Sequence, residues 1–149
     1  MKRAIFVILL ITSYSDSWAQ ETGVTPTSAI NQEREELSGA YAECAAYYRF
    51  VYFALETSGE TETAAAYRDL EDNSMLVSLV LANGGRDQDM AIEVTNSRIE
   101  LYMQQMKEET NNRNENISIL INKHNASCMA LQQEPSDIVI DALREANQD

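Results

Sequence analysis

The sequence is short of positive charge: 11 Lys and Arg face 24 Asp and Glu, a formal net charge of −13. A surface that binds nucleic acid gathers Lys and Arg to displace counterions from the phosphates, so nucleic acid is excluded as the expected partner. There are two Pro, five Gly, two Cys and one His among 149 residues. So little Gly and Pro leaves room for only a few sharp turns and argues against a chain of many short strands. No sequence repeat and no low-complexity segment is present. A single domain is the expectation for this length.

Long apolar runs are absent too. The longest, from Ala4 to Ile11, is far short of the roughly 20 residues that a spanning helix needs. Lys2 and Arg3 precede it and Ser17-Trp18-Ala19 closes it, the cationic start, apolar middle and small-residue exit of a secretory signal peptide. Cleavage after Ala19 is expected, with residues 1–19 as the signal peptide, 20–27 as a polar leader around Gly23 and Pro26, and 28–149 as the folded domain. The exported product, periplasmic or secreted, carries no membrane span.

The motifs of common catalysts are missing. No Gly-x-Ser-x-Gly turn holds a nucleophile. Adjacent pairs such as Glu35-Glu36 and Glu108-Glu109 point to different sides of a helix and read as solvated surface. Asp69, Glu71, Asp72 and Asn73 lack the Gly and terminal Glu of a calcium loop. No enzyme activity and no cofactor is expected.

What is present is helical periodicity. Leu37, Tyr41, Cys44, Tyr48, Val51 and Leu55 recur at steps of three and four, predicting a first helix over about 28–57 that stops at Gly59. A second helix runs from Ala64 to the Asn83-Gly84-Gly85 stop. Asp87 caps a third, whose core stripe reads as Met90, Val94, Ser97 and Leu101, with Ile99, Met103 and Met106, to about residue 110. Four Asn between Thr110 and Asn116 favour a turn, although a continuous helix through them stays open. Ile117, Ile121, His124, Cys128 and Leu131 stripe the fourth, which Pro135 ends. A short amphipathic helix follows Ser136. The fold class is all-α: an antiparallel four-helix bundle with a short C-terminal helix.

Both cysteines lie in the exported part, where an even count favours a disulfide, and antiparallel first and fourth helices would bring Cys44 beside Cys128. Chain entropy values such a bridge at roughly 4 to 5 kcal/mol before native strain is subtracted. The competing use is a zinc site from His124, Cys128 and Cys44, which falls one ligand short of a structural tetrahedron. A haem carried on His124 is a further alternative, although the first helix has no Met and no Cys-x-x-Cys-His run exists.

From Ala40 to Leu55 only Glu43 and Arg49 are charged. Phe50 and Phe53 turn about 140° to 160° away from the core stripe at about 100° per residue. With Tyr47 they form a candidate binding face, covered either by the tail helix or by another chain. A protein partner or a homodimer through helix one is the expected contact.

The segment Ala42-Glu43-Cys44-Ala45-Ala46-Tyr47-Tyr48, with Cys128-Met129-Ala130-Leu131 and Pro135, resembles small exported helical proteins of proteobacteria that have no assigned activity. The resemblance implies a helical bundle tied by one disulfide and no known reaction. The leading reading is therefore an exported, non-enzymatic binding protein; the alternative is a small metal or haem carrier using His124.

Overall fold

The computed structural model describes residues 26–84 and 86–148. The expected signal peptide, 1–19, and positions 20–25 of the expected leader lie outside the described residues. Five α-helices follow in order: α1 (Pro26–Ser58), α2 (Thr61–Asn83), α3 (Gln88–Glu109), α4 (Ile117–Gln133) and α5 (Asp137–Ala146), with one 3-10 turn at Asn114–Asn116. No strand is present among the described residues. α1 starts two residues before the expected helix start at 28, because Pro lacks the N–H that a first helical turn leaves unused.

The breaks are local chemistry. Gly59 takes φ +87°, which a side chain would resist. Asp87 accepts the Met90 N–H at 2.8 Å and starts α3 as expected. Asn111 and Asn112 stand at φ 54° and 57°, and their N–H groups bond back to Glu108 O and Lys107 O. Asn tolerates the left-handed region better than most residues, so the Asn run breaks the helix here.

Contacts fix the directions. Along α1, Ser38, Arg49 and Tyr52 meet Ser78, Glu71 and Arg68 of α2, so α2 runs back. Glu35 pairs with Arg98 of α3 and Phe50 shares a pit with Met103, so α3 runs parallel to α1. Tyr41, Cys44 and Tyr47 meet Leu131, Cys128 and Asn125, so α4 is antiparallel to α1. The bundle is up-down-up-down, and Cys44 and Cys128 are disulfide-bonded with their Cα atoms 5.4 Å apart across 84 residues of sequence.

α1 is the hub. Tyr41, Ala42 and every residue from Cys44 to Tyr48 are buried, a run that at about 100° per residue sweeps the whole circumference. A helix stretch with so little charge on any side is one surrounded by others, and α2, α3 and α4 all pack on this one. Toward α2 the contact is made by small side chains. Ser38, Ala42 and Ala45 of α1 and Ser74, Ser78 and Ala82 of α2 are all buried, and two serines cross-bond: Ser38 Oγ donates to Ser78 O at 3.0 Å and Ser78 Oγ to Ser38 O at 2.8 Å.

Two expected stripes are shifted. In α3 the buried residues are Ala91, Thr95, Ile99 and Met106, whereas Met90 and Leu101 are about half exposed. The inward face of its first half meets the polar layer of Glu35 and Ser38, so small and polar residues fill it while the apolar stripe faces water. In α4, Leu120, His124 and Cys128 are buried and Ile121 is exposed.

α5 corrects a third expectation. Its Val139 and Ala142 pack on Tyr41 and Leu81, with Leu37, Val77 and Val80 around them. The tail therefore covers the first half of α1 and the end of α2. It does not cover Phe50 and Phe53.

Candidate functional site

Two places gather the side chains singled out by the sequence. The first lies inside the bundle around His124, which α4 points at α1 one turn before Cys128. Its Nδ1 is 3.1 Å from Glu43 Oε1 and its ring centre 5.8 Å from that of Tyr47. The carboxylate accepts, so Nδ1 carries the proton and Nε2 is left as an acceptor. Nε2 is buried with no hydrogen-bond partner. Burial pushes the imidazole pKa below its ordinary value, with Lys123 adding to the effect; Glu43 and Glu109 oppose it without prevailing. His124 is neutral around pH 7.

The tyrosines complete this interior. Tyr47 Oη donates to Asn125 Oδ1 at 3.2 Å, and its ring lies 5.1 Å from that of Tyr48, which in turn meets Tyr67 at 6.0 Å. Burial first, then the neighbouring Tyr67, drives the Tyr48 pKa up to about 12, so the phenol stays protonated. Tyr47 shifts the same way. The imidazole and the two phenols are almost wholly shut away from water. The disulfide uses both sulfurs, leaving His124 alone of the three expected zinc donors, and no group of three or more His, Cys, Asp or Glu among the described residues is placed to hold a metal ion.

Tyr47 and Phe50, read from sequence as contact residues, are thus inside: Tyr47 has no exposed surface and Phe50 only 7%. The physical reason is the position of α1. The expectation of one buried face per helix fails for a helix with neighbours on three sides. Phe53 is the exception at 50% exposed.

The second place is the end of the bundle where Phe53 emerges. An open pit of about 200 Å³ is lined by Phe50, Phe53, Met103, Lys107, Asn112 and Asn114. α1 supplies the aromatic floor, α3 supplies Met103 and Lys107 one turn apart, and the left-handed Asn111-Asn112 turn brings the two amides to the rim. A second pit of about 370 Å³ adjoins across Asn114, with Ala54, Leu55 and Ile117 on its walls and Glu115 at its edge. Met103, Lys107 and the Asn side chains were missed as site residues. The four-residue step from Met103 to Lys107 was the signal available, but Met103 reads as core and the Asn run as a turn.

Among the described residues no helix is long and apolar enough to cross a membrane. The chain matches no protein-family model, no curated protein and no solved structure.

Proposed function

We propose that this chain is an exported, non-enzymatic helical protein, periplasmic or secreted, that acts by binding a protein partner through the end of the bundle where Phe53 emerges. The observation that carries the reading is the half-exposed Phe53 beside an apolar pit whose floor is Phe50. Aliphatic side chains such as Ile30, Met90 and Leu101 are exposed elsewhere, but Phe53 is a large aromatic left open beside a preformed hollow, the arrangement that a binding partner fills. Export is supported by the cationic and apolar start of the sequence and by the disulfide, which belongs to an oxidising compartment. The non-enzymatic reading rests on the internal placement of His124, whose proton is committed to Glu43.

The contact is thus drawn from the whole of helix one to its last turns, and a second copy of the chain is a partner of the same class. The test is capture of partners from the native exported fraction by immobilised wild-type protein and by Phe53→Glu. A stoichiometric partner retained by the first and lost from the second, with unchanged helicity, supports the reading. Equal retention by both places the contact elsewhere, and a membrane-retained species that keeps Met1 contradicts export.

A further inference from the structure

Resting on that binding reading, we propose that the Phe53 end receives the C-terminal residue of a partner chain, an apolar side chain bearing a free carboxylate. The argument begins with charge. On a protein this acidic, cations are scarce, and nearly all of those described are engaged: Glu35 holds both Arg86 and Arg98, Glu71 holds Arg49, Glu109 holds Lys123, and Arg68 lies over the Tyr52 ring. Arg34 and Arg144 pair with Glu145 and Asp141. Among the described residues, Lys107 and Arg113 are the cations with no side-chain partner. Lys107 lines the first pit, and Arg113 stands in the chain between Asn112 and Asn114, which line it too.

An unpaired ammonium beside an apolar hollow selects a ligand that is apolar at one end and anionic at that same end. The dimensions agree. A hollow of about 200 Å³ suits one large apolar side chain, below the size range of roughly 300 to 1,000 Å³ typical of small-molecule pockets. The second pit extends the apolar track past Asn114 and gives the preceding residues of an extended chain a place to lie. Polarity is set as well. Glu115 at the second pit repels a carboxylate while Lys107 at the first attracts it, so the chain end enters the Phe50 pit and the rest runs toward Leu55 and Ile117. The Asn112 and Asn114 amides can donate to and accept from the ligand backbone on the way.

The experiment titrates the full mature protein by NMR with three probes: acetyl-Leu-Ala-Phe with a free carboxylate, the same peptide as its C-terminal amide, and 3-phenylpropionate. The acid peptide is expected to bind about fivefold more tightly than the amide, an advantage that exposed charge pairing can supply. In Lys107→Gln that advantage should fall to within about twofold, while the amide peptide is unaffected. Shifted resonances should map to Phe53, Met103, Asn112 and Asn114. Equal binding of acid and amide, or an advantage that survives in Lys107→Gln, overturns the proposal. So does 3-phenylpropionate binding as tightly as the acid peptide, which would assign the pit to a free small acid. If the acid preference is absent and Phe53→Glu nevertheless loses its captured partner, the binding face stands and the chain-end assignment falls.

Discussion

The two ends of α1 are built on opposite plans. Toward its start, the charges of the layer are paired: Glu35 accepts from Arg86 and, at 2.7 Å, from Arg98, Arg98 also donates to Ser38 Oγ at 2.9 Å, and α5 packs on the apolar surface around Tyr41, while Arg34 Nε and Thr95 Oγ1 are buried without a hydrogen-bond partner. Toward its end, Phe53 is half exposed, Lys107 and Arg113 have no side-chain partner among the described residues, and two hollows stay open. Hollows of about 170 and 260 Å³ open at the first end too, but the charged groups that line them, Arg34 with Glu145 and Glu35 with Arg86, are paired with one another. The other end keeps apolar surface and charge in reserve, which costs stability and makes sense if a ligand completes it.

The comparison breaks most severely if an interior aromatic is removed. Tyr47→Ala, which empties a fully buried ring site beside His124, should cost about 3 to 5 kcal/mol in chemical denaturation. Phe50→Glu, which buries a carboxylate, should fail to fold. Replacing both cysteines by Ala should cost about 2 to 5 kcal/mol with helix content at low temperature retained, and non-reducing peptide mapping of the wild type should find Cys44 joined to Cys128. At the ion-paired end, Glu35→Ala frees two guanidinium groups that are each partly screened by water, and about 1 to 2 kcal/mol is expected.

Acid should distinguish the interior around His124 from the ion-paired start of α1 by where each begins to fail. Because His124 has its pKa lowered in the folded state, the unfolded chain binds the proton more readily. Its contribution is therefore complete above the ordinary value of 6.5 and is lost as pH falls below it. For Glu35, burial raises the carboxyl pKa, but the hydrogen bonds and charges of Arg86 and Arg98 outweigh it and hold the pKa low. That contribution is complete above the ordinary 4.5 and is lost only as pH falls below it. Denaturation midpoints measured against pH should decline in two stages, and His124→Gln should remove the first while leaving the second.

Helix boundaries were legible in the sequence because single residues impose them: Gly59 at positive φ, Asp87 as cap, Asn111 and Asn112 in the left-handed region, and Pro135 beyond α4. The disulfide was legible because two cysteines and an antiparallel bundle leave one natural pairing. Which way the helices face was less so. In α3 the inward face carries Ala91 and Thr95 opposite a polar layer, so hydropathy selected the outward stripe of Met90 and Leu101. The same limit hid the role of α1. Its uncharged middle was visible, but an aromatic on a second face reads equally as a contact surface or as packing against a third neighbour, and only the placement of α3 assigns Phe50 to packing and leaves Phe53 outside. Glu43, the partner of His124, lies 81 positions away in sequence, a pairing that no local pattern announces.

The most direct test of the account is Phe53→Glu, carried through thermal unfolding and partner capture on the same preparation. A half-exposed ring at the open end contributes little to the fold, so the unfolding curve should lie within about 1 kcal/mol of wild type while the partner is no longer retained. A variant that unfolds would place Phe53 in the core, and one that keeps its partner would move the binding surface away from this end; either result contradicts the account.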